Sequence, residues 1–302
     1  MPMPYANPWT VAGTVQHVRT ANPGAFFYVD GENGVDTNDG RSPESPFLTV
    51  TAALAACTAG QNDYVFILNY PATAPGTETF PIAMTKSMVH LIGVPDQASR
   101  RNVCLFCQDG GTNTIELSDA ADDCEIAGIE LGATTAACIY TTAATPFCCR
   151  LHVHHCEIGW IRTCTYGIHI EAGGADTPHW LVENNRFGEN CTAAGIYNNY
   201  NATRSFYQNN FFKVAQNAVG IHLVGICTGH IFLLNNVFQV TDNAAGEAIT
   251  TSATALGLAA GNMAGQGKAN MGNIPWVDGG GFDWVGNLVT ATAGGNDFTP
   301  PA

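Results

Sequence analysis

The sequence predicts an all-β fold, a single-stranded right-handed parallel β-helix with an N-terminal capping helix and irregular terminal segments, and three observations carry that prediction. First, Val182-Glu183-Asn184-Asn185-Arg186-Phe187, Tyr207-Gln208-Asn209-Asn210-Phe211-Phe212 and Leu233-Leu234-Asn235-Asn236-Val237-Phe238 repeat one pattern, and the Asn-Asn pair returns every 25 or 26 residues. Second, Gly167-Ile168-His169, Gly195-Ile196-Tyr197 and Gly220-Ile221-His222 keep step with it, and Ile139 and Ile249 extend the series by one turn each way. Third, the segments between are short runs of Ile, Val, Phe, Tyr and Thr set off by Gly, Asn, Asp and Thr, which is strand chemistry; a helical repeat would need two longer amphipathic segments per period. A fixed period marks an architecture in which each unit buries its apolar face only by stacking on its neighbours. A period of about 25 to 29 residues accommodates three short strands and three turns. Asn185, Asn210 and Asn236 would then lie above one another at about 4.8 Å, donating and accepting along a ladder and satisfying backbone groups of the turns. Ile168, Ile196 and Ile221 would form an apolar row in the interior.

In chain order, residues 1–24 read as an irregular arm with Tyr5, Trp9, Val11 and Val15 as docking residues. Residues 25–60 hold an opening strand, Phe26-Phe27-Tyr28-Val29-Asp30, a turn-rich stretch, and the segment Phe47 to Ala59. There Ala, Leu and Thr recur at helical spacing after Ser45-Pro46, as in a helix that plugs the open end of the coil. Residues 61–260 are assigned to the coil. Its early strands are Tyr64–Leu68, Met88–Ile92, Val103–Phe106 and Thr114–Leu117, with Pro71 to Gly76 as an outward loop, and Ile126–Leu131 leads into the regular repeat. After Ile249 the pattern fades, and residues 261–302 read as a C-terminal cap or oligomer contact, because Trp276, Phe282 and Trp284 are too costly to leave exposed.

One stretch carries a resemblance. Phe27-Tyr28-Val29-Asp30-Gly31, Gly34-Val35-Asp36-Thr37-Asn38-Asp39-Gly40-Arg41-Ser42-Pro43, Pro46-Phe47-Leu48-Thr49-Val50 and Ala53 resemble the opening motif of pectate-lyase-like right-handed β-helix proteins. That resemblance implies the fold. It leaves the function open among polysaccharide lyases and hydrolases, bacteriophage tailspikes, and catalytically silent spike and capsid decoration proteins. Lyases of this kind use an acidic calcium cluster and a Lys or Arg base on one face; the repeat offers no Asp-rich cluster, so no lyase residue is assigned. The Asp36-to-Gly40 turn has the composition of a calcium loop, but Phe47 stands where the bidentate Glu would be, and a turn that caps the helix is the simpler expectation.

Composition excludes some classes. With 25 acids against 11 bases the net charge is −14, a surface that repels phosphate, so nucleic acid is not an expected partner. No long apolar run is present, so no membrane is expected, and the N-terminus lacks the basic start and apolar core of a signal peptide. The 11 cysteines are odd in number, and Cys138, Cys164, Cys191 and Cys227 fall where the repeat needs small buried residues. They read as core packing in a protein assembled in a reducing compartment. Cys104 and Cys107 have knuckle spacing, but a strand would point them to opposite faces.

The richest patch is Leu151-His152-Val153-His154-His155-Cys156-Glu157. His152 and His154 would share a face, an arrangement metals use, but no third ligand shows at matching spacing, so neither metal nor other cofactor is expected. The repeat register stacks His154 on Glu183 and Glu157 on Arg186, the latter as a surface ion pair. For glycoside chemistry the candidate acids and base are Glu171, Asp176, His179 and Glu183, with Trp180 as a sugar-stacking platform. Two function classes follow. One is a non-enzymatic structural or adhesive virion protein (capsid decoration, spike or fibre), homotrimeric, assembled in the host cytoplasm, attached to other virion proteins such as capsid or tail, and in contact with host surface glycan. The other is a carbohydrate-active enzyme, extracellular or a depolymerising tailspike.

Overall fold

A computed structural model describes residues 24–70, 78–95, 102–141, 148–171, 179–200, 204–215, 217–225, 230–240, 246–266, 276–291 and 295–297. Residues 1–23 of the N-terminal arm, the Pro71 to Gly76 loop, Asp176 and Cys227 lie outside them. The chain winds as a parallel β-helix, and its strands form three sheets of 10, 9 and 8 strands, here sheets I, II and III. Each regular turn contributes one strand to each sheet in that order; Leu181–Glu183 (I), Arg186–Phe187 (II) and Cys191–Asn198 (III) make one such turn. All pairings are parallel until Gly295–Asp297 folds back antiparallel on Leu288–Ala291.

The first end is closed by a short helix, Val50–Ala56, whose Val50, Ala53 and Leu54 enter the core. It is shorter than the Phe47-to-Ala59 segment expected from spacing. Phe47 is used elsewhere: its N–H donates to the Tyr28 carbonyl, its own carbonyl accepts from Asp30, and it bridges Val29 as a strand would. The helix therefore starts at a Thr49 N-cap, whose hydroxyl accepts from the Ala52 N–H. Asp36 is spent on the same start, taking the Leu48 and Thr49 N–H groups at 2.9 and 2.8 Å and the Thr49 hydroxyl at 2.9 Å. Glu78 accepts from the Val50 and Thr51 N–H groups, as favours an anion at a helix N-terminus. At the other end the Lys86 ammonium donates to the carbonyls of Leu54, Ala55 and Cys57.

Asparagine closes the corner between sheets I and II. Asn185, Asn210 and Asn236 are 0 to 1% exposed. Each amide nitrogen donates to a carbonyl of the preceding turn and to the amide oxygen of the next asparagine; the Asn210 and Asn236 oxygens each accept a backbone N–H and a side-chain N–H from the asparagine before, and the Asn185 oxygen accepts the Cys156 N–H. The residue ahead of each is left-handed, Asn184, Asn209 and Asn235 lying at φ 56°, 55° and 54°. Asparagine tolerates that conformation better than most side chains.

The ladder does not stop at Asn236. Asn262 and Asn287 continue it, preceded by Gly261 and Gly286 in the same left-handed conformation at φ 66° and 63°. The coil therefore runs through Gly257–Ala260, Met263–Gln266, Trp276–Val277 and Phe282–Val285 to Leu288–Ala291, beyond the residue 260 boundary that the fading pattern implied. Trp276 and Phe282 are 2% and 7% exposed, so the coil itself buries them, while Trp284 packs on the same core and stays partly exposed.

The two interleaved sequence motifs are two halves of one packing unit. Phe187, Phe212 and Phe238, on sheet II, stack inside the coil with centroids 4.5 and 4.8 Å apart and planes within 10° of parallel. A Cβ on Gly167, Gly195 or Gly220 in sheet III would lie 2.9, 2.8 and 2.6 Å from those rings in turn. Glycine occurs in sheet III where phenylalanine occurs in sheet II. Once the sheet II row shrinks to Ala264, the sheet III row resumes side chains at Ala248, and Trp276 packs edge-on against Phe238. Ile168, Ile196, Ile221 and Ile249 pair in register and are fully buried beside them.

Ten free cysteines lie among the described residues, and most are buried. The Cys164 and Cys191 sulfurs are 3.4 Å apart in the core. Cys107 faces inward and Cys104 outward on the strand Val103–Cys107, so the knuckle spacing does not bring them together.

Candidate functional site

Sheet I carries a titratable patch on its outer face. The strand His152–His154 places Val153 in the core and both histidines outside. Register aligns Tyr64, His90, Glu125 and His152 in one outward row, and Ala127, His154, Glu183 and Gln208 in the next. The two imidazole rings lie with centroids 4.1 Å apart.

Glu125 is the hub. Its two carboxylate oxygens hold His154 Nε2 and His90 Nδ1, each at 2.7 Å. Glu183 takes His152 Nε2 at 3.1 Å and the Gln208 amide at 2.9 Å. His154 Nδ1 lies 2.8 Å from His155 Nδ1. The expected pairing of His154 with Glu183 thus holds for the backbone register but not for the side chains. Glu183 reaches to the histidine two residues earlier, because Glu125 from the preceding turn already occupies His154. Sequence spacing missed Glu125, since Glu125-Ile126-Ala127 falls in the less regular turns; only a register carried back from His152 would have found it.

Electrostatics follow from this wiring. Burial alone would raise the Glu125 carboxyl, but the hydrogen bonds from His154 and His90 outweigh it and hold the group well below the usual carboxylate range. Burial is likewise overcome at Glu183, where Gln208 and His152 favour the charged form. Burial pushes His152 down to about 4, with the neighbouring His154 adding to it, and lowers His155. At neutral pH His152 is therefore neutral while both carboxylates are ionised.

Sheet III carries a second surface. Tyr140, His169, Tyr197 and His222 align in one outward row, with Tyr166 leaning over it 4.5 Å from His169 and 4.8 Å from Tyr197. The rings are partly exposed, and Glu171 closes the row with an oxygen 3.1 Å from His169 Nε2.

The described glycoside candidates lie on different sheets. Glu171 follows the sheet III strand Cys164–Ile170 and holds His169; Glu183 is on sheet I and holds His152 and Gln208. His179 is left-handed at φ 45° ahead of the next strand, and Asp176 lies outside the described residues. Trp180 is no sugar platform. It is fully buried, its indole N–H donating to the Cys148 carbonyl at 2.9 Å, because the position just before a sheet I strand turns into the core. Glu157 and Arg186 do pair, and the guanidinium lies 4.1 Å over the Trp160 ring.

The chain matches no protein-family model and no curated protein.

Proposed function

We propose that the chain is a non-enzymatic structural or adhesive component of a virion, a decoration, spike or fibre protein that presents a rigid coil. The observation that carries the non-enzymatic half is the dispersal of the described candidates: Glu171 sits on His169 beside sheet III, Glu183 holds His152 and Gln208 on sheet I, and Trp180 is buried. Glu125 and Glu183 are both driven toward the charged form. A glycosidic general acid needs the opposite, a carboxyl held protonated near neutral pH. The buried asparagine ladder supports the rod, since a satisfied polar network fixes the corner of every turn it spans. The buried free thiols fit assembly in a reducing compartment such as a host cytoplasm, and silent spike and decoration proteins are among the classes that the resemblance of the Phe27-to-Ala53 stretch leaves open. The partly exposed tyrosine and histidine row on sheet III is the surface such a protein would offer to a host glycan, whose apolar sugar faces stack on rings.

Sedimentation equilibrium of the full chain, followed by incubation with surface polysaccharides, tests this. Retention of intact glycan and a mass of three chains are the expected results. Release of reducing ends that vanishes in Glu171→Gln or Glu183→Gln would replace this reading with the enzymatic one.

A further inference from the structure

We propose that the outer face of sheet I holds a divalent transition-metal ion of the zinc type, bound by His152, His154 and Glu125, with Glu183 completing the shell. One potential ligand atom from each of Glu125, His152 and His154 lies within 4.8 Å of the others. Glu183 adds an oxygen 3.1 Å from His152 Nε2. Zinc bonded at about 2.0–2.2 Å to tetrahedral ligands needs them roughly 3.3–3.6 Å apart, so the cluster of three would tighten on binding while Glu183, tied to it through His152, swings in as the fourth ligand. Two imidazoles and two carboxylates are a donor set for zinc, cobalt or nickel rather than for calcium or magnesium, which prefer oxygen alone.

The outer shell favours this over an ordinary polar face. Three of the four side chains have their remote atom already held: Glu125 Oε2 by His90 Nδ1 at 2.7 Å, Glu183 Oε2 by Gln208 Nε2 at 2.9 Å, and His154 Nδ1 by His155 Nδ1 at 2.8 Å. Glu125 Oε1 is left facing His154 Nε2 at 2.7 Å, and Glu183 Oε1 facing His152 Nε2 at 3.1 Å. Such outer partners orient ligands and fix the histidine tautomer in metal sites. With an ion in place, the His154 proton sits on Nδ1 and is donated to His155, leaving Nε2 free to coordinate. The ligands come from three successive strands, Glu125–Ala127, His152–His154 and Leu181–Glu183, so the ion would staple three turns of the coil. It does not depend on what the rod attaches to.

The test is calorimetric titration of the chelator-stripped full chain with Zn²⁺, together with the visible spectrum of its Co²⁺ form. One ion per chain is expected, with cobalt bands that lack the intense near-ultraviolet absorption of thiolate ligands, and a raised melting temperature. His152→Asn and Glu183→Gln, both at partly exposed positions, should each weaken binding by at least about tenfold without lowering the metal-free melting temperature appreciably. His169→Asn on sheet III should leave binding unchanged. Lack of saturable binding, thiolate bands in the cobalt spectrum, or undiminished affinity in the His152→Asn, Glu183→Gln double variant would overturn the site. Because Glu125→Gln risks misfolding, the decision rests on the two outer variants.

Discussion

The corner between sheets I and II is built twice in this molecule, from different chemistry. In the later turns a left-handed residue is followed by a buried asparagine, and the amides run as a continuous hydrogen-bonded ladder from Asn185 to Asn287. In the earlier turns the left-handed residues are Gly128 and His155, and the buried residues after them are Ile129 and Cys156. The backbone bends alike in both regions, so the turn is dictated by the left-handed position and the stacking, not by the amide. What the amide adds is a partner for each buried N–H and C=O that the corner takes out of the strand ladders.

The largest effect should come from breaking the ladder in its middle. Asn236→Ala removes four hydrogen bonds, two accepted from Asn210 and two donated, to Tyr207 and to Asn262. It strands buried groups on both sides, and a loss of about 2–4 kcal/mol is expected from denaturant midpoints. Asn287→Ala is the control, because that asparagine is the last of the ladder among the described residues and is only partly buried. Its loss should be about half as large; equal losses would mean that the rungs act singly, with no coupling along the row.

A smaller effect should come from the adjoining phenylalanine stack. In Gly195→Ala the new methyl meets the Phe212 ring at 2.8 Å and the Gly220 carbonyl oxygen at 2.7 Å, and overpacking of this kind costs about 1–3 kcal/mol. Phe212→Leu should recover part of that loss in the double variant, the coupling expected of neighbours in contact. Strictly additive losses would show that glycine is needed only for backbone approach.

These pairs also show what the sequence made legible. The period, the ladder and the isoleucine row were readable because Asn-Asn, Gly-Ile and Phe recur as whole words. The coil beyond residue 260 was not, because Gly261-Asn262 and Gly286-Asn287 replace the first asparagine by glycine, the other residue at home in the left-handed conformation. Phe47 looked helical because its neighbours have helical spacing, whereas a tertiary bridge to Val29 claims it. At the candidate site the His-x-His alternation was visible and Glu125 was not, since a ligand one irregular turn away has no local spacing to betray it. Trp180 was misread because proximity in sequence to acids says nothing about which way a residue before a strand faces.

Acid should act away from the ladder, whose amides carry no titrating proton. Burial lowers His169 and His222 below the ordinary histidine value of 6.5. The unfolded chain therefore takes up protons there before the folded one does, so stability is full above about pH 6.5 and falls as pH drops toward the folded values. His169→Asn with His222→Asn should flatten that decline, whereas Asn236→Ala should lower the whole curve without changing its slope. A slope change in Asn236→Ala would mean that the ladder shapes the sheet III surface.

The smallest expected effect is the one that tests the comparison most directly. Cys156 occupies the rung before Asn185, and its thiol partly imitates the amide: the sulfur lies 3.7 Å from the Ile126 carbonyl and 3.4 Å from that of His154, while the Cys156 N–H is taken by Asn185 at 2.9 Å. Asn185 makes the matching contact one turn on, its amide donating to Val153 in place of Ile126, and its oxygen adds the bond from the Cys156 N–H. Cys156→Asn should therefore extend the ladder by one rung. It exchanges weak sulfur contacts for amide hydrogen bonds and loses a thiol that packs in the core, so the net change should lie within about 1 kcal/mol of zero, on the stabilising side. A loss of several kcal/mol would show that the earlier corner is too tight for an amide, and that the ladder begins at Asn185 because the backbone there first leaves room for it.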